Sequence, residues 1–258
     1  MNKSTYVLGT RVDITTRAEA TARIKAALSE RKHISIFTPN PTMVIRAHGS
    51  EELREVLNSA ELSVADGVGV ILASRILGDP LPERIAGIEL GEDILRLANE
   101  NKLKVFLLGG RPGVADRAAK NIRVRYPDIN ICGTHHGYFE KSGADNDEVV
   151  QRIKIAAPDV LIVCFGFPAQ ETWILQNRAA IPSLLLCTGL GGSIDVWAGD
   201  VRRAPRAVRA LSLEWLWRIV LQPKRAKDLL LIIRFLLEVL RQKIETSHKR
   251  VTKRHKQW

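Results

Sequence analysis

The stretch KVFLLGGRPGVADRAA, residues 104–119, predicts a buried strand, a glycine-rich turn and the start of a helix in direct succession. Glycine lets the backbone of a turn approach a ligand closely, and the first turn of a helix offers free N–H groups to an anion. The turn at Gly109 and Gly110 therefore suits a diphosphate. It is neither a Walker A loop nor a complete G-x-G-x-x-G, so it indicates nucleotide binding without being diagnostic.

The same order of strand, turn and helix repeats from the N-terminus to about residue 200. The predicted strands are 33–41, 62–70, 104–113, 129–139, 159–168 and 183–192. The predicted helices are 17–31, 41–60, 87–101, 113–126 and 145–157. Strict alternation predicts an α/β fold over residues 1–200: a Rossmann-like, mostly parallel sheet with helices on both faces.

Residues 201–258 differ in composition and predict a basic, helical C-terminal appendage that associates with membranes. They have a formal charge of +12, whereas the first 200 residues sum to −1. Pro223 separates helical patterns at 210–222 and 227–244, and the second is too short and too often interrupted by charge to span a bilayer. We expect 227–258 to lie on an anionic membrane surface. For 210–222, a helical hairpin that packs on the core is an equally good interpretation.

The cysteines and the N-terminus narrow the class of protein. Cys132, Cys164 and Cys187 are far apart and form no C-x-x-C pair, so neither a zinc knuckle nor a disulfide framework is indicated. The first residues lack the apolar core and small-residue cleavage site of a signal peptide. We therefore predict a cytoplasmic protein that is peripherally bound to the inner face of the cytoplasmic membrane.

Polar residues cluster where predicted strands end, which is where parallel sheets bind ligands. Thr38 and Asn40 lie in a stiff Thr-Pro-Asn-Pro loop after the first core strand, which by itself is better explained as a turn. Asp66 ends the next strand, where a carboxylate can act as a general base, although a helix N-cap explains it equally well. Arg84, in a connecting segment, suits a phosphate or a carboxylate, but a solvated arginine is the usual alternative.

Two later strand ends add further candidates. Gly191 and Asp195 belong to a second glycine-rich turn, where the carboxylate can accept a hydrogen bond from ribose or uracil. Gln170 lies where a strand passes into a helix. His135 and His136 have no partner ligands at metal spacing, so we expect them to line a loop or pocket and expect no metal site.

Taken together, these segments resemble the WecG/TagA/CpsF glycosyltransferase family, also known as glycosyltransferase family 26. No single motif is diagnostic, but the ordered set is highly specific and extends to about residue 228. The motifs are TPNP (38–41), ADGVGV (65–70), LPERIAG (81–87), LLGGRPGVA (107–115), YPDI (126–129), GTHHGYF (133–139), PAQETWI (168–174), GGSID (191–195), RAP (203–205) and EWLWR (214–218).

The resemblance implies an inverting transfer of a sugar, typically N-acetylmannosamine or a related one, from a UDP-sugar donor. The acceptor would be a sugar linked through diphosphate to undecaprenol, and the product would feed teichoic acid or another cell-surface polysaccharide. No cofactor and no metal are implied.

The resemblance also assigns roles by position, with Asp66 as the catalytic base. The other implied active-site residues are Thr38, Asn40, Arg84 and Gln170, and the nucleotide-sugar site comprises Gly109, Gly110, Gly137, Tyr138, Gly191 and Asp195. Arg218 and Arg225 would meet the acceptor diphosphate. Ala169 stands where the family usually has a lysine, so any charge supplied there is missing or comes from elsewhere.

Two other classes of function compete with this hypothesis. A nucleotide-binding oxidoreductase would explain the glycine turns, but no acidic residue follows the first turn at ribose-binding spacing. A nucleic-acid-binding or membrane-scaffold protein would use the basic appendage, but it leaves Asp66 and the glycine turns unexplained. We therefore expect a UDP-sugar, a lipid-linked acceptor and a membrane surface as partners, and no nucleic acid.

Overall fold

The computed structural model describes residues 3–205, 207–208, 214, 216–217 and 226–255. Within these ranges, six strands form a parallel main sheet, as the sequence predicts, and their order is β4-β3-β8-β7-β5-β6. The strands are β3 (Ile34–Phe37), β4 (Leu62–Ser63), β5 (Lys104–Gly109), β6 (Asn130–His135), β7 (Val160–Cys164) and β8 (Leu186–Gly189).

Helices cover both faces of the sheet, because side chains along each central strand alternate between two cores. In β5, Val105 and Leu107 join one core, whereas Phe106 and Leu108 join the other. The first core contacts α1 (Arg17–Ser29), α5 (Gly87–Glu100), α6 (Val114–Arg125) and α9 (Ser193–Trp197); the second contacts α7 (Gly143–Ala156) and α8 (Ala169–Asn177). The predicted two-sided α/β fold is confirmed.

The predicted helix over residues 41–60 is two helices, α2 (Pro41–His48) and α3 (Glu51–Asn58). Gly49 ends the first helix, and the hydroxyl of Ser50 accepts a hydrogen bond from the backbone N–H of Leu53 to begin the second. A continuous apolar pattern across both helices hides this break. Serine at an N-cap is the local signal that identifies it.

The predicted strand over residues 62–70 is wrong after residue 63. The strand ends at Ser63, and α4 (Val68–Leu77) begins after Gly67, whose φ of 96° lies in the region that favours glycine. The apolar alternation of this segment belongs to two different elements, so periodicity alone could not separate them.

A β-hairpin that the sequence analysis did not predict, β1 (Ser4–Val7) and β2 (Thr10–Asp13), lies beside the edge strand β4. The Asp13 carboxylate accepts a hydrogen bond from the Ser63 N–H at 3.1 Å, and the Ser63 hydroxyl donates to the Arg11 carbonyl at 2.7 Å. These contacts use polar groups that an edge strand would otherwise present to solvent.

The C-terminal helix α10 (Ala226–His255) packs against α2 and α4. Phe235 and Val239 are fully buried in a third core with the hairpin, α2 and α4. The expected membrane contact of 227–258 stays a prediction, and one face of this helix belongs to the core. None of the helices that the structure describes combines the length and the apolar character that crossing a bilayer needs.

The opposite face of α10 is apolar and exposed. Leu230, Ile233 and Leu237 are 71%, 50% and 61% exposed, and their spacing of three and four residues puts them on one stripe. Most of the predicted helix at 210–222 lies outside the described residues. The division into a body of 1–200 and an appendage of 201–258 stays a prediction.

Candidate active site

Except for Arg84, the predicted site residues that the structure describes lie at the carboxyl ends of the parallel strands, in the turns that follow them, or in the first turns of the helices after those turns. Strands β5 and β8 lead into α6 and α9 on one face of the sheet, whereas β7, which lies between them, leads into α8 on the other. Helices that leave neighbouring strands toward opposite faces open a crevice at that edge, which is where such sheets bind ligands.

Thr38, Asp66 and Gly87 meet at one point at this edge. A methyl group on Gly87 would lie 3.1 Å from the Thr38 hydroxyl, 3.6 Å from a carboxylate oxygen of Asp66 and 3.7 Å from Leu190. The Gly87 N–H, at the start of α5, donates to Asp66 at 3.4 Å. The absence of a side chain on Gly87 therefore leaves room beside both the hydroxyl and the carboxylate.

Asp66 is not the N-cap of the helix that follows it, so that interpretation is wrong. The N-cap of α4 is Gly67, and Asp66 is directed toward α5 instead. Its side chain is partly exposed, unlike that of Thr38, which is buried. A partly exposed carboxylate beside a buried hydroxyl is able to accept a proton from a substrate that enters the crevice.

Asn40 has a structural role that the sequence analysis did not assign. Its side-chain oxygen accepts hydrogen bonds from the backbone N–H groups of Thr42 and Met43, each at 3.1 Å, and so caps α2. Pro41 occupies the first helical turn and lies against Gly67. Asn40 thus fixes the start of α2, and the two loops are joined by the Asp66 N–H, which donates to the Pro39 carbonyl at 3.0 Å.

Arg84 lies beside the Asp66 loop, because the neighbouring Ile85 N–H donates to the Ala65 carbonyl at 2.9 Å. The Arg84 guanidinium is 3.7 Å from the carboxylate of Glu214, and its side chain is only 19% exposed. The interpretation as a solvated arginine is therefore wrong. Glu214 belongs to the predicted appendage and is buried, so this segment reaches the loop next to Asp66.

Gln170 joins the turns that follow β7 and β8. Its side-chain oxygen accepts hydrogen bonds from the N–H groups of Gly166 at 3.1 Å and Gly191 at 2.9 Å. Its amide nitrogen donates to the Glu171 carboxyl at 2.8 Å. The side chain of Gln170 is buried against Gly189, where an added methyl group would lie 2.7 Å from the amide nitrogen.

The glycine turns of β5, β6 and β8 form a second, connected group. The Gly110 carbonyl accepts from the Gly137 N–H at 2.8 Å, and a methyl group on Gly110 would lie 3.3 Å from Ile194 in α9. Asp195, the next residue of α9, is partly exposed. At Gly191, where φ is 50°, no described atom lies within 4 Å of an added methyl group.

Comparison with known proteins agrees with the ordered motifs. The model of the "Glycosyl transferase WecG/TagA/CpsF family" matches residues 5–249. The chain belongs to this family. The N-acetylglucosaminyldiphosphoundecaprenol N-acetyl-beta-D-mannosaminyltransferases of Staphylococcus aureus strains NCTC 8325 / PS 47 and MRSA252 are similar to it. Each is 37% identical over 239 residues, which cover 92% of this chain and 92% of the relative.

This family member also has a cationic residue that the sequence analysis missed. The Lys141 ammonium donates to the Gly137 carbonyl at 2.7 Å and the Phe139 carbonyl at 2.6 Å, and lies 3.7 Å from the Phe139 ring centroid. Burial lowers the pKa of Lys141. The interaction fixes the loop that presents the exposed Tyr138, because both carbonyls belong to that loop. A lysine close behind G-Y-F was the available signal.

The remaining predicted residues divide into two groups. Arg218 and Arg225 lie outside the described residues. His135 and His136 are partly exposed in the loop that begins at the end of β6, and their ring centroids are 4.4 Å apart with the ring planes tilted by 38°. Within the described ranges no three His, Cys, Asp or Glu side chains are grouped to hold a metal ion, and a metal-free mechanism stays a prediction.

Proposed function

We propose that this protein transfers an N-acetylmannosamine-type sugar from a UDP-sugar to a sugar linked through diphosphate to undecaprenol, with inversion at the anomeric carbon. The observation that supports the proposal most directly is that Thr38, Asp66 and Gly87 lie close together at the carboxyl edge of the sheet. The names of the Staphylococcus aureus relatives supply the proposed acceptor and sugar.

In the proposed reaction, Asp66 removes the proton from the acceptor hydroxyl as that oxygen attacks the anomeric carbon. The bond between this carbon and the UDP oxygen breaks at the same time, and UDP leaves as an anion. Attack from the face opposite the leaving group inverts the configuration. A positioned carboxylate of this kind contributes about 10²- to 10⁴-fold to a reaction rate.

The donor diphosphate is proposed to bind at the connected glycine turns. Gly110 and Gly137 are hydrogen bonded to each other, and no atom of the described residues lies within 4 Å of a methyl group added to Gly191. The departing diphosphate gains negative charge, so N–H groups and cations around it lower the barrier. Lys141, held against the Gly137 loop, is a cation next to this region.

The acceptor cannot leave the bilayer, so the enzyme has to bind the membrane surface. The exposed apolar stripe of α10 is suited to the boundary between headgroups and acyl chains. The excess of basic residues after position 200 adds attraction to anionic lipids, about 1 kcal/mol for each residue near the surface. We therefore propose peripheral binding to the inner face of the cytoplasmic membrane.

Mass spectrometry of a diphosphate-linked N-acetylglucosamine acceptor, incubated with a panel of UDP-sugars, tests the reaction. We expect a mass increase of one N-acetylhexosamine with UDP-N-acetylmannosamine, and an anomeric configuration opposite to that of the donor by NMR. Calorimetric titration with UDP and with NAD is the companion measurement. Binding of NAD but not UDP, with no sugar transfer, would overturn the proposal.

Sedimentation with anionic vesicles tests the membrane proposal. The triple variant Leu230→Gln, Ile233→Gln, Leu237→Gln should bind at least about ten-fold more weakly, because three apolar side chains no longer enter the interface. Val124 and Ile155 are 79% and 85% exposed on α6 and α7, so Val124→Gln with Ile155→Gln is the matched control. Equal loss in both variants would contradict a specific role for α10.

A further inference from the structure

We propose that Glu171 is a positioning residue, whose buried carboxyl fixes the orientation of the Gln170 side-chain amide at the active site. The inference concerns Glu171 and rests on the proposed function only for the catalytic consequence. Glu171 lies in the first turn of α8 and is 0% exposed. A glutamate is almost never fully buried in a protein without a compensating interaction.

Among the described residues, the hydrogen bonds of the Gln170 side chain involve its oxygen and one of its two amide N–H groups. Its oxygen accepts hydrogen bonds from the N–H groups of Gly166 and Gly191. If the amide were flipped, its NH₂ group would face these two donors instead, which is unfavourable. One N–H of the amide then donates to Glu171 at 2.8 Å. These three hydrogen bonds together give the amide a single orientation.

Glu171 is suited to this role in both protonation states. One carboxyl oxygen accepts from Gln170, whereas the other is buried and has no hydrogen-bond partner among the described residues. A proton can reside on this second oxygen without disturbing the first. Burial raises the pKa of Glu171 to about 7, which agrees with a carboxyl that tolerates the neutral form.

One short turn of the backbone connects the Gln170 amide to the proposed reacting groups. Gly189 and Gly191 both contact Gln170, and Leu190 between them lies near the space shared by Thr38, Asp66 and Gly87. A rotated or displaced Gln170 would shift this turn. Displacements of about 1 Å at a catalytic site cost up to about 100-fold in rate.

Kinetics of four variants test the inference: Glu171→Met, Glu171→Gln, Gln170→Ala and the double variant Gln170→Ala with Glu171→Met. Methionine has similar length but cannot accept the hydrogen bond, whereas glutamine can. We expect E171M to lower kcat/KM about ten- to hundred-fold and E171Q to restore most of the loss. In the Q170A background, E171M should have less than about a two-fold further effect, because Glu171 acts through Gln170.

A merely structural role for Glu171 gives a different pattern. The losses from Q170A and E171M would then multiply in the double variant, and E171M would lower the melting temperature in proportion to its loss of activity. Either multiplicative losses or unchanged kinetics in E171M would overturn the inference.

A measurement without substrate separates this inference from the proposed function. In protein labelled with ¹⁵N-glutamine, the Gln170 side-chain NH₂ signal is assigned by its loss in Q170A. We expect slow hydrogen exchange in the unmodified protein and in E171Q, and exchange at least about ten-fold faster in E171M, because the bond to Glu171 is lost. Equal protection in E171M would refute the inference, whereas a lack of sugar transfer by the unmodified protein would refute only the proposed function.

Discussion

Relative to the unmodified chain, the substitution Glu171→Gln should stabilise the protein more at alkaline pH than at acidic pH. Burial raises the pKa of Glu171 from an ordinary 4.5 to about 7 in the folded state. The folded protein therefore retains a proton that the unfolded chain releases at lower pH. The stability that this proton contributes is complete below about pH 4.5 and is lost as pH rises to about 7.

The size of the effect follows from the pKa difference. Each pKa unit corresponds to about 1.4 kcal/mol, so ionisation of Glu171 costs the folded state about 3 kcal/mol above pH 7. Part of this cost is already present at pH 5. Between pH 5 and pH 8 we therefore expect the free energy of unfolding of E171Q to gain about 2 kcal/mol relative to the unmodified chain.

Urea denaturation at pH 5, 6, 7 and 8 measures this difference directly. Glu148→Gln is the matched control, since Glu148 is exposed on α7 and the same charge is removed. We expect E148Q to differ from the unmodified chain by the same small amount at every pH. If the difference for E171Q is also constant from pH 5 to pH 8, Glu171 does not ionise in this range and the reasoning fails.

Three further substitutions probe the site and its support. Asp66→Asn should lower kcat at least about 100-fold while calorimetry still detects UDP binding, because a base is needed for chemistry and not for donor affinity; near-normal turnover would remove Asp66 from the mechanism. Gly87→Ala places a methyl group 3.1 Å from the Thr38 hydroxyl, so kcat should fall about ten-fold at unchanged melting temperature. The control Gly49→Ala, at an exposed glycine, should match the unmodified enzyme in both assays. Phe235→Ala should cost about 3–5 kcal/mol in the docking of α10, seen by hydrogen exchange as faster opening of this helix; unchanged protection would contradict the packing.

The sheet was predictable because its strands are apolar runs that end in turn residues. The hairpin was missed because β1 and β2 are only four residues long, and each contains a single buried valine among mostly polar residues. Helix α4 was missed because its apolar residues continue the pattern of the preceding strand, and only Gly67 marks the change. Local pattern therefore identifies long buried elements better than short ones at the margin of the sheet.

The parts of the site that depend only on where the strands end were predictable from the sequence. The position of a strand end places Asp66 and the glycine turns at one edge without any further information. The pairing of Arg84 with Glu214 and the burial of Glu171 depend on residues distant in sequence, so no local pattern indicates them. Asn40, predicted as an active-site residue, also caps α2, a role that the sequence of its loop did not by itself indicate.

The position of α10 determines how far Asp66, the proposed base, would lie from the membrane surface. Phe235, on the inner side of this helix, comes within 3.7 Å of a methyl group placed on Gly69, three residues after Asp66. A helix with its side chains is about 10 Å across. With the outer stripe of α10 embedded among the lipids, Asp66 would stand roughly one helix diameter above them. A sugar that projects from the bilayer on its diphosphate would then meet the carboxylate while its lipid chain stays in place.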